Sequence, residues 1–528
     1  MVAAEESTSE IQMRRVATFT AITAFGFVLG KLSGVVREMV ISAQFGLSAE
    51  LDAYLIAFTV PTIINNIIAG GTIVAAMMPT LARYLTKNDR AGFWYAASIV
   101  TNIVLLVTGA LTVGVMLLPM PVIALVGLGF AESTQRTAAH LLMIVMPTLF
   151  LSALLNMLLV VLNALDRFVA PALIFLALNL GIIVTVIVLA PALGIYAVAW
   201  GLLVGVALQV AIQFIELRRE RPQYFLRLDW HHPVLPEVWR AFVPIAALSV
   251  VAQINLVVDK MMATTLPPGS VSALYYGDAI LGLFYMLGVS LGIGVFPSLS
   301  RSVAANDLAS TARAVITSLR MLIFVLMPLT LLLIAFAEPI IGLILGRGKF
   351  DVNAVGMTGS ALAMYAIGLI AMALLNILQR AFYALADSVT PFIVGAVTML
   401  LHIALNWILM QVLLHAGIAL SASLCTILGT LVLIGLLARR LPNIQTSDLV
   451  MYLVRCGAIA LVGTLVAFLV FDGLNVGVVT WTGRIAGVLC AALGGALYFG
   501  IALALRVPES RMLLDWAFGL LQRREAVG

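Results

Sequence analysis

The chain has 528 residues, of which 63% are hydrophobic and only 10% charged, with a net charge of +5. A soluble core of that apolar content could not be wrapped in polar residues, so a water-soluble globular protein is excluded. The apolar runs are long and continuous rather than short and alternating, which excludes a transmembrane β-barrel.

An all-α polytopic membrane protein remains. The first residues are polar, with Glu5, Glu6 and Glu10, and the first apolar run begins only after Arg14-Arg15. That order predicts an uncleaved first helix rather than a signal peptide. Fourteen spans follow, near 15–42, 50–82, 91–119, 135–163, 168–190, 194–217, 238–265, 271–303, 311–337, 353–384, 388–413, 417–438, 450–472 and 482–506. Most of the 29 lysines and arginines fall in one alternate set of loops and tails, including Arg83, Lys87, Arg90, Arg218, Arg219, Arg439, Arg440, Arg523 and Arg524. The opposite loops hold Arg136, Arg347, Lys349 and Arg484. This asymmetry is the positive-inside pattern. It places both termini in the cytoplasm and explains the basic balance without a nucleic-acid partner. The cysteines Cys425, Cys456 and Cys490 sit in apolar segments without metal spacing and read as packing residues.

Two halves of the chain resemble each other. MMPTLAR (77–83) matches VFPSLSR (295–301), ALLN (153–156) matches ALLN (373–376), and ALDRFVAP (164–171) resembles ALADSVTP (384–391). GIYAVAWG (194–201) resembles GIALSASL (417–424) at a similar shift. Each unit holds six spans, so the repeats are parallel, and transporters built this way carry cargo between their halves. The expected parts are a cytoplasmic tail 1–14, an N-lobe 15–217, a cytoplasmic linker 218–240, a C-lobe 241–440, two extra spans within 441–506 and a cytoplasmic tail 507–528.

Charges inside spans mark candidate function, because each costs about 3 kcal/mol or more in hydrocarbon. The first span carries Lys31, Arg37 and Glu38. Lys31 and Glu38 share a helix face with Gly34, while helix geometry turns Arg37 about 100° from Glu38. A Lys31–Glu38 pair, with Arg37 reaching an interface, is the structural alternative. Gly26, Gly30 and Gly34 form a small-residue ridge, which usually means helix packing. The second span opens at Asp52, passes Pro61, and holds Asn65, Asn66, Gly70 and Gly71. Pro61 and the glycine pair are candidate hinges. The two asparagines could bind sugar hydroxyls or a neighbouring helix. Asn255 and Asp259 lie four apart in the seventh span and suit a small cation or proton; an Asp259–Lys260 end cap is the alternative. Asp278 begins the eighth span as Asp52 begins the second, where an acid also favours the helix dipole. Single asparagines such as Asn156, Asn179 and Asn406 read as interhelical hydrogen bonders. GRGKF (346–350) lacks phosphate-loop spacing and reads as a basic interfacial turn. There is no Walker motif, and no long outer loop holds paired carboxylates, so the chain is not read as an enzyme.

GKLSGVVREMVISAQFGLSAELDAYLIAFTVP, PTLARY, INLVVDKMMATTLPPGSVSALYYGDAI, FPSLSR, LGRGKFD and FYALADSVTP together resemble the MurJ (MviN) family of lipid II flippases, within the multidrug/oligosaccharidyl-lipid/polysaccharide exporter superfamily. The resemblance implies two six-helix lobes around a cationic cavity, a tail groove on the last two spans, and alternating access in the bacterial inner membrane. It implies no cofactor, with membrane potential, Na+ or H+ as the candidate drive. It also implies a lipid-linked glycan as cargo, membrane lipids as surroundings, and a monomer. Lys31 and Arg37 would bind the pyrophosphate, Asn65 and Asn66 the sugar or peptide. Glu38, Asp52 and Asp278 would position charges or gate, and Asp259 with Asn255 would couple an ion. Asn65-Asn66 stand where the family often has an arginine pair. Flipping another lipid-linked oligosaccharide, or cation-coupled export of small amphipathic compounds, are the alternatives.

Overall fold

A computed structural model describes residues 26, 28–68, 72–167, 169–293, 307–441, 446–477 and 480–515. Gly70, Gly71, Arg14, Arg15, Arg301 and the last residues lie outside them. Among the described residues, all regular structure is helical. Hydrocarbon offers no hydrogen bonds, so each span must satisfy its own backbone, and a helix does this locally. Hydroxyls follow the same rule: Thr59 donates to Leu55 O at 2.6 Å, Ser98 to Trp94 O at 2.7 Å and Thr185 to Gly181 O at 2.7 Å.

Two compact units emerge. The first comprises residues up to Gly269 together with Arg347–Lys349. Its helices are α1 (28–45), α2 (Ala49–Ile68), α3 (Thr72–Thr86), α4 (Arg90–Leu117), α5 (Pro119–Val126), α6 (Glu132–Val145), α7 (Pro147–Ala164), α8 (Val169–Leu193), α9 (Tyr196–Arg218) and α10 (Val234–Ala263). Its core gathers Met77, Leu81, Phe93, Ala97, Met157 and Val161, with Val234 and Val238 from α10. The expected C-lobe began at 241, yet α10 packs with the first unit. Arg83 pairs with Glu237, and Thr80 Oγ1 donates to the same carboxylate at 3.4 Å. The α8–α9 pair closes on glycine: a Cβ on Gly181 would lie 2.5 Å from Gly205 Cα.

The 218–240 stretch is not a loose tether. Asn102 of α4 donates to Phe225 O and Arg227 O, both at 2.8 Å. Tyr224 OH donates to Asn102 Oδ1, and the Phe225 N–H to Ser98 Oγ at 3.1 Å. Tyr95 stacks edge-on against Phe225 and His232, 5.4 and 5.3 Å between centroids.

The second unit holds α11 (Ser270–Ile293), α12 (Leu308–Ala335), α13 (Ala337–Ile344), α14 (Val352–Ile367), α15 (Leu369–Ala384), α16 (Val389–Arg440), α17 (Thr446–Gly473) and α18 (Trp481–Ala504). Its core includes Leu322, Phe324, Leu378, Phe382, Leu437, Tyr452 and Tyr498. Cys425, Cys456 and Cys490 are buried, and none forms a disulfide among the described residues. Among the described residues nine helices are long and apolar enough to span a bilayer, or ten if the pair α14–α15, bent by 42°, is one span. α1, α10 and α11 lie on other predicted spans. α16 covers the predicted spans 388–413 and 417–438, broken at Leu414 (φ 51°, ψ −132°).

The repeat is visible in the joints. Asp89 caps α4 by accepting the Gly92 N–H at 2.8 Å; Asp307 caps α12 by accepting the Ser310 N–H at 2.9 Å. The cap backbones match, φ −91° and −89°, and each cap opens a 28-residue helix followed by one of eight residues. Asp166 (φ 57°) and Ala386 (φ 58°) turn left-handed after equivalent helices; Gly194 (φ 55°) and Leu414 (φ 51°), which are not aligned by the repeat, also have positive φ.

Two predictions follow from these turns. A leucine at positive φ stores about 1 kcal/mol or more. Leu414 is exposed, so Leu414→Gly should raise the melting temperature in detergent; a fall would refute the strain. At the other turn, Asp387 accepts from the Thr390 hydroxyl at 2.6 Å and pairs with Arg440 at 2.5 Å. The Thr390 bonds first, and Arg440 after them, hold its carboxyl down to about 2. A depressed folded value stabilises above the unfolded value, near 4, and that stabilisation is lost as pH falls towards 2. Asp387→Asn should therefore lower melting at neutral pH, and the gap to wild type should narrow in melts taken below about pH 4.

Candidate functional site

The candidate residues of the first unit gather on α2 and the helices beside it. α2 contributes Asp52, Thr59, Asn65 and Asn66, each bonded to another element. Ser48 caps the helix start by accepting the Leu51 N–H at 3.2 Å. Pro61 sits inside the helix, which runs on to Ile68.

Asp52 is 2% exposed, and its Oδ2 accepts the Gly269 N–H at 2.6 Å. Gly269 has φ +92°, and a Cβ there would meet Leu47 at 3.0 Å, so only glycine fits the clasp comfortably. Further along, Lys260 Nζ donates to Thr59 Oγ1 at 2.6 Å. Lys260 also lies in the last turn of α10, where the end-cap alternative put it, and its side chain is directed at the middle of α2. The contact with Thr59 is what sequence reasoning missed.

Near the end of α2 the side chains are amides. Asn66 Nδ2 donates to Gln253 Oε1 of α10 at 3.3 Å. Asn156 Nδ2 of α7 donates to Asn65 Oδ1 at 3.4 Å and to Ser152 O at 2.8 Å. These long side-chain contacts leave amide capacity for other partners. Two residues beyond Gln253 on α10, Asn255 Oδ1 is sealed and accepts no hydrogen bond among the described residues. Asp259, four residues on, is half-buried.

On α1, Arg37 and Glu38 form a direct ion pair, which corrects the expectation that helix geometry separates them. The flexible guanidinium folds back on its neighbour: Nε also donates to Glu38 Oε1 at 3.1 Å. Arg37 Nη1 donates to Asn179 Oδ1 of α8 at 3.1 Å. Asn179 Nδ2 in turn donates to Gly30 O and Ser33 Oγ, both at 2.9 Å. Gly30 allows the approach, since a Cβ there would lie 2.7 Å from Phe175 Cβ. The glycine ridge is thus a packing device, and Asn179 is the interhelical bonder expected. Lys31, a turn and a half earlier, is exposed.

Arg347–Lys349 belongs to the same unit and forms a tight turn at Gly348 (φ +57°), with the Lys349 N–H donating to Ala43 O at 2.8 Å. The interfacial-turn reading of GRGKF fits that geometry. Asp278 lies in the second unit, exposed on α11; that helix starts at Ser270 with no acid in its first turn, so Asp278 does not open it as expected. Gly70 and Gly71, the remaining hinge candidates, fall outside the described residues.

These features define a multi-pass helical membrane protein with bonded polar side chains built into its apolar spans. Comparison with known proteins makes the assignment sharper. The family model "Lipid II flippase MurJ" matches residues 41–480, and the chain belongs to that family. The lipid II flippase MurJ of Burkholderia cenocepacia is 28% identical over 499 residues, covering 91% of this chain and 96% of that protein. The probable lipid II flippase MurJ of Rhizobium tropici is 29% identical over 431 residues, covering 79% and 80%. The solved inward-closed structure of a lipid II flippase MurJ has the same fold, with a TM-score of 0.74, 24% identity and 92% and 100% coverage. An inward-facing multidrug resistance MATE family transporter of the MOP superfamily shares the fold at a TM-score of 0.62, 13% identity and 76% and 92% coverage.

The Arg37–Glu38 pair gives the site its test. Arg37→Ala would strand a buried carboxylate and should cost about 3 kcal/mol. Arg37→Ala with Glu38→Gln should recover most of that loss in thermal melts. An equal loss in both would show that the pair is not what Arg37 supports.

Proposed function

We propose that this chain moves a polyprenyl-pyrophosphate-linked glycan, with lipid II the favoured cargo, from the inner to the outer leaflet of the bacterial cytoplasmic membrane by alternating access. The observation that carries the reading is the family match over residues 41–480. The physical need is plain: a charged headgroup cannot cross hydrocarbon unaided, and fixed counter-charges with hydrogen-bonding groups lower that barrier.

In this reading Lys31 and Arg37 meet the pyrophosphate, and Glu38 holds the Arg37 guanidinium in place. Asp52 holds the turn at Gly269 and acts as a gate residue, with Asp278 in a parallel role. Asn65 and Asn66, backed by Asn156 and Gln253, take sugar or peptide groups. Asn255 and Asp259 are the ion or proton candidates, with drive from membrane potential, Na+ or H+ and no ATP. Pro61 and the Gly70-Gly71 pair are the points where the second span would bend. Both termini face the cytoplasm, and the working unit is a monomer.

The amide cluster favours a second reading, that the glycan differs from lipid II. Amides recognise hydroxyls and amide groups, whereas pyrophosphate prefers guanidinium forks. Complementation decides between the two. The chain is expressed in bacteria depleted of their own lipid II flippase, and lysis and outer-leaflet lipid II are followed. Rescue is expected, lost in Arg37→Ala and reduced in Asn65→Ala with Asn66→Ala at equal expression. A well-inserted chain that fails to rescue would overturn lipid II as cargo and leave another lipid-linked glycan.

A further inference from the structure

The second unit buries a cation that forms no ion pair with a carboxylate among the described residues. Arg484 lies in the first turns of α18 and is only 9% exposed. The unit's described ion pairs join Arg320 to Glu509 at 3.2 Å and Arg440 to Asp387, and Arg484 takes part in neither. Its Nη1 donates to the Gly346 carbonyl. Its Nε is sealed and has no partner, while Nη2 makes no described bond and is not sealed.

Its position is electrostatically wrong for a purely structural cation. A helix start is the positive end of the dipole and favours acids, yet the first turn of α18 has none. Thr480 caps the helix by accepting the Gly483 N–H at 3.0 Å, and Arg484 follows directly. A guanidinium buried with only part of its donors met is unfavourable there, and an anion joining it offsets that cost. The surroundings are built to admit the group. A Cβ on Gly346 would lie 2.6 Å from Nη1, and one on Gly342 would lie 3.0 Å from Nε. Beside the site, Trp481, Ile485 and Leu489 are exposed, and the last two lie four apart on one face of α18. An apolar face next to a cation with a free edge is the chemistry of a phosphorylated lipid: tails along the helix, phosphate at the guanidinium.

We propose that Arg484 is the centre of a phosphate site on the second unit, filled by the headgroup of a membrane lipid. The site is separate from the α2 cluster; it lies on the last span, where the resemblance implies a groove for the cargo's tail, but the proposed occupant is a membrane lipid. Lipid phosphate would complete the guanidinium through Nη2 and fix the start of α18.

The test uses the full chain, purified and delipidated in detergent. Hydrogen exchange of the 480–486 amides is followed by mass spectrometry with three probes: dioleoylphosphatidylglycerol, dioleoylglycerol and inorganic phosphate. Phosphatidylglycerol should slow exchange by about fivefold or more, with little effect from dioleoylglycerol. Arg484→Gln should lose that protection, and Gly346→Ser, which crowds the guanidinium, should weaken it. Equal protection by the two lipids in wild type would overturn the phosphate site. So would undiminished protection in a folded Arg484→Gln. Inorganic phosphate acting as strongly as the phospholipid would overturn the lipid assignment. If neither variant folds, the wild-type comparison of the three probes still decides.

Discussion

A polar group in hydrocarbon must be met by protein, and the details of this chain follow from that constraint. Hydroxyls answer it inside their own helices. Arg37 answers it with the adjacent Glu38 and with Asn179, 142 residues along the chain but 3.1 Å away in space. Lys260 answers it at Thr59, whose own proton is already given to Leu55. The Asn179 and Thr59 contacts tie one span to another, so residues that would be costly singly become cross-links of the first unit.

α2 collects most of these ties. Its start holds Gly269 through Asp52, its middle receives Lys260, and its end meets two other helices through amides. A helix held at three levels cannot shift at one level without disturbing a hydrogen bond, which suits an element that must take discrete positions. Pro61 lies between the middle and last levels, where the backbone is already one hydrogen bond short.

Much of the fold was legible because membrane helices are written in long apolar runs. The repeat was legible too, from short matches such as ALDRFVAP and ALADSVTP, whose left-handed turns at Asp166 and Ala386 now coincide. Contacts were less legible. Spacing placed Arg37 and Glu38 apart, but spacing locates Cβ atoms, and a guanidinium on three methylenes reaches round the helix. Lys260 beside Asp259 read as an end cap because sequence shows neighbours along the chain and hides Thr59. The 218–240 stretch read as a linker from its prolines and arginines, and nothing in that composition announces that Asn102 would grip it. The boundary of the first unit was hidden for the same reason: α10 follows the linker in sequence but is joined to α3 through Glu237.

The turn at Leu414 carries a further meaning. By the match of GIYAVAWG with GIALSASL, the counterpart of Gly194 is Gly417, three residues further on. Gly194 has φ +55° and open space where a Cβ would lie, whereas a Cβ on Gly417 would sit 2.4 Å from Leu409 O. One glycine supplies backbone freedom and the other supplies clearance, and in the second copy the positive φ falls on Leu414 instead. A residue held in both halves has changed its trade.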